Sequence, residues 1–217
     1  MFLHAGSGSS RMWENQVPAF ASFGYRFITY DRSATGVAVD DLEALAEHLL
    51  LDRFHLVGTA AGGIVAVDYA LTHPQRLRSM VVANSIVGVQ DEEYVAMSRR
   101  LRPSPEFNAL PTEVRELGPS YRAANPEGTQ RWSELAQHVA SQPTRNKITF
   151  AALETIETPT LLLTGDADLY TPPSVLRLFA ARFPNCESLV VPECGHSAFW
   201  EQPEIFNRAV LDFISKH

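Results

Sequence analysis

The 217-residue chain is long enough to bury one sizeable core and too short for two ordinary domains. Its 18 Lys and Arg against 25 Asp and Glu leave a net charge of −7, which argues against nucleic acid or an anionic membrane surface as partner. No apolar run nears the roughly 20 residues of a membrane helix, and no basic start leads into an apolar segment, so neither a membrane span nor a secretory signal is expected.

In chain order, short apolar runs bounded by Gly, Pro, Asp or Asn predict strands at 1–3, 26–30, 54–57, 80–83, 160–163 and 188–191. Amphipathic stretches fall between them. Val39, Leu42, Leu45 and Leu49 form one apolar stripe. Val175, Leu176, Phe179 and Phe183 form another behind Pro172-Pro173. Ile205, Phe206, Ala209, Val210 and Phe213 form a third behind Pro203. Such alternation predicts a mostly parallel sheet covered by helices on both faces. The rhythm breaks over 85–158, which reads as Pro-interrupted helical pieces. These are expected as a small helical cap at the sheet's C-terminal edge, with 1–84 and 159–217 as the core of one domain.

Cys186 and Cys194 flank the run Leu189-Val190-Val191. Along a strand at about 3.3 Å per residue their Cα atoms stand roughly 26 Å apart, beyond the ~7 Å that a disulfide spans. Two free thiols suit a reducing compartment, so a cytoplasmic protein is expected.

Four motifs carry chemistry. Gly58-Thr59-Ala60-Ala61-Gly62 sits at a predicted strand-to-helix junction. A turn this sharp needs glycines where side chains would collide. It thrusts its middle residue into the site and aims the next N–H, that of Ala61, at a developing oxyanion. His4-Ala5-Gly6-Ser7-Gly8 follows the first strand and can offer a second N–H, from Gly6, with His4 shaping the loop. Gly165-Asp166-Ala167-Asp168 places an acid at a strand's C-terminal end. Asp168 is expected to orient a histidine, and Asp166 to bond the loop backbone. Cys194-Gly195-His196-Ser197 supplies that histidine, His196, after the last strand.

With Tyr30-Asp31-Arg32 and His73-Pro74-Gln75-Arg76-Leu77, these motifs run in an order that resembles the α/β-hydrolase superfamily from end to end. The layout is similar to small cap-bearing esterases, enol-lactonases and C–C bond hydrolases. The resemblance implies a Ser–His–Asp triad, an oxyanion hole of two backbone N–H groups, and no cofactor.

Two departures stand against that pattern. Ala60 occupies the nucleophile position, and a methyl group can neither attack nor donate a proton. Thr59, Cys194 and Ser197 lie nearby but are poorly aimed to replace a serine. Three readings stay open: an engineered replacement of serine, a native alanine with His196 and Asp168 acting directly as a base, or a non-catalytic protein that binds a small ligand. Within the second, the base serves a hydrolase or, alternatively, a lyase or cofactor-free oxygenase. The other departure is that two strands normal to the family are missing before His4, and the connection from Gly36 to Val39 is short. The resulting short edge strand points to a homodimer or a truncated form.

The expected ligand is a small molecule. Thr59, Phe199 and Trp132 are expected at its pocket, with Tyr94, Phe107, Tyr121 and Phe150 either lining the cap or gluing it down. Arg99, Arg100, Arg102, Arg122 and Arg131 are weighed as partners for a carboxylate substrate, with surface solvation as the default for each.

Overall fold

A computed structural model of the chain describes residues 1–33, 35–101, 105–136 and 142–217. Arg102 therefore lies outside the described residues. The strands are β1 (Phe2–Leu3), β2 (Phe54–Thr59), β3 (Leu77–Ala83), β4 (Thr160–Gly165) and β5 (Cys186–Val191). They pair in parallel in the order β1-β2-β3-β4-β5.

Parallel pairing requires crossovers, and helices supply them. In chain order these are α1 (Gln16–Ser22), α2 (Ala38–His48) and α3 (Ala61–Thr72), followed after β3 by α4 (Glu92–Arg100), α5 (Thr112–Glu116), α6 (Pro119–Ala124), α7 (Pro126–Leu135) and α8 (Phe150–Leu153). Then come α9 (Pro173–Ala180), α10 (Ala198–Glu201) and α11 (Pro203–Ile214).

Alternation along the strands divides the core into two layers. Leu56, Met80, Val82 and Leu162 face one way and meet Val39 and Leu42 of α2, Tyr69 of α3 and Phe179 of α9. Val57, Val81, Leu161 and Leu163 face the other way and meet Phe20 of α1 and Phe206, Val210 and Phe213 of α11. The period of two along each strand thus assigns residues to faces, and the period of 3.6 along each helix meets them.

The predicted strand at 26–30 is corrected: it appears as a single parallel bridge, Phe2 to Thr29, with the Phe2 N–H donating to the Ile28 carbonyl at 2.8 Å. The cause is its neighbour. β1 has two residues before the chain turns, with the Gly8 N–H closing onto the Ala5 carbonyl at 3.1 Å. Five strands, not six, are therefore found among the described residues.

Between β3 and β4 the described residues are helical or irregular. Tyr94 and Phe150 pack on Phe179 of α9, with ring centroids 5.2 and 6.4 Å away. Phe107 meets Tyr170 at 5.2 Å. Both cysteines are free. Among the described residues no helix is long and apolar enough to cross a membrane.

Candidate active site

The C-terminal ends of β1, β2, β3 and β4 and the loop after β5 converge on one place. β2 runs into α3 through Ala60, whose φ of 49° and ψ of −114° lie where alanine is rarely found. Such a conformation costs on the order of 1–3 kcal/mol and needs its surroundings to hold it. The Ala60 N–H donates to the Ala83 carbonyl at 2.9 Å, and the Ser85 hydroxyl donates to the Ala60 carbonyl at 2.7 Å. Glycines make room. A Cβ on Gly62 would strike the carbonyls of Leu3 and His4, and one on Gly58 would strike the backbone of Gly62 and Gly63.

Gly6, Ser7, Ala60 and Ala61 line one wall of a cavity of about 540 Å³. Ala61 opens α3, so its N–H is among the first-turn donors that a helix leaves without a helical acceptor. His4 is buried in the supporting loop. Its Nδ1 lies 2.7 Å from the Ala5 carbonyl, and its Nε2 accepts from the Arg32 N–H at 3.2 Å, which leaves the ring as a neutral brace.

Asp168 and His196 meet beside the cavity, behind Glu116, which lines it. Nδ1 of His196 lies 2.9 and 2.8 Å from the two carboxylate oxygens of Asp168. A carboxylate only accepts, so Nδ1 carries the proton and Nε2 is turned away from Asp168. Asp168 also accepts from the N–H groups of Tyr170 and Thr171 at 2.7 and 2.8 Å, and from the Thr164 hydroxyl and Asn84 amide at 3.0 Å each. Burial works to raise its pKa. The His196 charge and these donors more than offset that and hold it below the usual carboxylate range. Burial works the opposite way on His196, but Asp168, and then Glu116, push its pKa above that of a free imidazole.

Asn84, the residue after β3, has φ 49° and ties the site together. Its amide donates to Asp168 and, at 3.1 Å, to the Gly195 carbonyl, while its oxygen accepts from the Ala198 N–H at 3.3 Å. Asp166, exposed, accepts from the Cys194 N–H at 3.1 Å. Asn84 and Thr164 escape motif reading, although both are polar residues at the C-terminal ends of strands. That signal could have found them.

Glu116, at the end of α5, gave no such signal. It is buried, lines the cavity, and brings Oε2 within 4.0 Å of His196 Nε2. Its backbone carbonyl accepts from the His196 N–H at 2.9 Å.

The pocket residues divide. Trp132 lines the cavity together with Thr112, Glu113, Arg115, Ser133 and Ala136. Thr59 and Phe199 are corrected, because neither is in its wall. Thr59 closes β2 with its hydroxyl buried in the protein. Phe199 turns beneath the histidine loop into the apolar layer, 4.7 Å from the Trp13 ring and 6.4 Å from Phe206. The cause is α10, whose buried turn directs Phe199 toward α11 rather than outward. Cys194 and Ser197 also lie outside the wall, and burial drives the Cys194 thiol far above its ordinary pKa. Of the arginines weighed from sequence, Arg131 pairs with Glu14, Arg122 donates to the Leu117 carbonyl, and Arg99 and Arg100 are exposed. The arginine in the wall is Arg115, held by Tyr170, Thr112 and the Leu110 carbonyl.

Comparison with known proteins bears on this geometry. A model described as the alpha/beta hydrolase family matches residues 1–209. A 2-hydroxy-6-oxononadienedioate/2-hydroxy-6-oxononatrienedioate hydrolase of Burkholderia vietnamiensis is 28% identical over 250 residues, covering 100% of this chain and 86% of that protein. The structure of a thermophilic esterase from Thermogutta terrifontis superposes with TM-score 0.81 at 24% identity, covering 99% of this chain and 88% of that one. The enol-lactonase of Burkholderia xenovorans LB400 superposes with TM-score 0.79 at 19% identity, covering 99% and 90%. At these identities the structural likenesses speak for the fold alone.

Proposed function

The chain belongs to the alpha/beta hydrolase family, and from that premise we propose that it hydrolyses a small ester, lactone or related carbonyl compound by direct attack of water. His196 and Asp168 manage the protons, the N–H groups of Gly6 and Ala61 receive the oxyanion, and the helical stretch over 85–158 serves as a cap that selects the substrate. Ala60 marks the position from which a serine would attack. Without that hydroxyl no acyl-enzyme forms, and water must reach the carbonyl carbon itself. The substrate classes are those named for the relatives, whose hydrolases and lactonase share this family or fold.

One observation carries the reading. Beside an elbow that keeps its strained backbone without a nucleophile, Asp168 retains its full set of donors and holds His196 by Nδ1. Fixing the tautomer and orientation of an imidazole is what proton transfer requires, and a general acid or base contributes about 10²–10⁴ in rate. Simple ligand binding would need no such bracing. An oxyanion donor is worth a further ~10²–10³.

The test is hydrolysis of p-nitrophenyl acetate, p-nitrophenyl butyrate and dihydrocoumarin by the chain and by His196→Ala. Turnover of at least one compound, falling by about 10²-fold or more in the variant, is the expected result. Equal rates in both proteins, or none above buffer, would contradict it and favour a protein that only binds.

A further inference from the structure

We propose that Glu116 is a second proton-handling group of this site: its carboxylate takes the proton of the attacking water while His196 Nε2–H protonates the leaving group. The proposal rests on the hydrolytic reading above and adds a residue to it.

The geometry carries the case. Glu116 shares the cavity wall with Gly6, Ala60 and Ala61, and its Oε2 stands 4.0 Å from His196 Nε2. It does not reach there on a free arm. Gly118, two residues on, lies so close to Gly195 that a Cβ on either would strike the other's backbone. The Glu201 carboxylate then bridges the two strands of chain, accepting from the Gly118 N–H at 2.8 Å and the Gly195 N–H at 2.9 Å. Together with the bond from the His196 N–H to the Glu116 carbonyl, these contacts fix the end of α5 to the histidine loop. Acid and imidazole are thus positioned by one rigid unit.

The three buried carboxylates around this unit differ in use. Those of Asp168 and Glu201 are filled by backbone and amide donors, which suits a structural carboxylate. Glu116 faces the imidazole and shares the cavity wall with Ser7. Burying a carboxylate costs several kcal/mol unless it is paired. A separation of 4.0 Å is too long for a charge-assisted hydrogen bond of about 2.7–2.9 Å, and leaves the carboxylate able to accept from a water in the cavity.

The surrounding charges agree with this division of labour. His196 faces Asp168 on the loop after β4, Glu116 at the end of α5 and Glu201 of α10, and these acids favour the imidazolium. An imidazole so held keeps its proton to higher pH, which favours it as the donor. Burial raises the Glu116 pKa, opposed by His196 and, on its own helix, Arg115, while Asp168 adds to the rise. A carboxylate made more basic in this way is better matched to accept a proton from water.

The step balances. Water oxygen bonds to the carbonyl carbon, one water proton goes to Glu116, and the electron pair of the C=O bond moves to the oxygen held by Gly6 and Ala61. Collapse breaks the bond to the leaving oxygen, which takes the proton from His196 Nε2. Return of the Glu116 proton to His196 restores the starting state.

The experiment is the pH profile of kcat/KM for ethyl butyrate, whose alkoxide must take a proton to leave, in the chain, Glu116→Gln, Glu116→Asp, His196→Ala and the exposed control Glu106→Gln. The expected profile for the unaltered chain is a bell. Its acid limb is protonation of Glu116, and its alkaline limb is loss of the His196 proton, displaced above that of a free imidazole. Glu116→Gln is expected to lose at least 10²-fold and the acid limb with it. Glu116→Asp should retain the bell at reduced rate, and Glu106→Gln should match the unaltered chain. A Glu116→Gln protein within threefold of it, alongside an inert His196→Ala, overturns the role of Glu116 and leaves the hydrolytic reading standing. An unaltered chain without turnover overturns both. If Glu116→Gln does not fold, the profile of the unaltered chain decides: a rise to an alkaline plateau means His196 alone is the base and overturns the proposal.

Discussion

Around Ala60 the site is built from backbone, whereas around His196 it is built from side chains. The elbow wall works through the positions of N–H groups, and its tolerances are set by glycines packed against carbonyls. The histidine side works through a hydrogen-bonded set of Asn84, Thr164, Asp168, His196 and Glu201, with Glu116 between it and the cavity. The contrast explains how the elbow can carry alanine and keep its shape. Its conformation depends on neighbouring backbone, not on the side chain at its tip. A serine lost there removes a reactive group without loosening the wall, while a residue lost opposite leaves buried donors with no acceptor.

That contrast can be broken at graded cost. Gly62→Ala should be the most damaging to the fold, because its new Cβ meets the backbone carbonyls of Leu3 and His4 and neither can rotate away. A loss of about 3 kcal/mol in urea denaturation is expected. Unchanged stability would mean that the elbow wall is not limited by backbone contact. Glu201→Ala should follow, at about 2 kcal/mol. It strands the buried N–H groups of Gly118, Gly195 and Ser197 and so also unseats Glu116 from His196. Stability lost with kcat/KM intact would show that the two loops hold together without it. Asp166→Ala should cost least, about 0.5 kcal/mol, since Asp166 is exposed and bonds the Cys194 N–H alone among the described groups. A loss as large as that of Glu201 would erase the distinction between the buried and exposed parts of the loop.

The same contrast governs what was legible from sequence. Strands β2, β3 and β4 are continuous apolar runs because both faces of the sheet are covered, so their positions follow from composition. The elbow and the Gly195-His196 pair are legible because their geometry demands glycine at fixed offsets. The segment at 26–30 carries Phe27, Ile28 and Tyr30 but lacks a partner long enough for it to form a strand. Phe199 reads as a site residue from its nearness to His196 in sequence, but the turn of α10 carries it inward. Glu116 is hidden for a different reason. It lies in a polar stretch with Glu106 and Glu113, and only the approach of Gly118 to Gly195 brings it to the histidine. A contact across 80 residues of chain leaves no local spacing to read.

The account turns on water attacking without a covalent intermediate, and the pre-steady-state time course of p-nitrophenol release from p-nitrophenyl acetate tests this most directly. The unaltered chain is expected to release product linearly from the first turnover, whereas Ala60→Ser is expected to show a burst approaching one equivalent per protein if deacylation is the slower step. A stoichiometric burst from the unaltered chain would mean that another side chain is acylated, and would contradict the account.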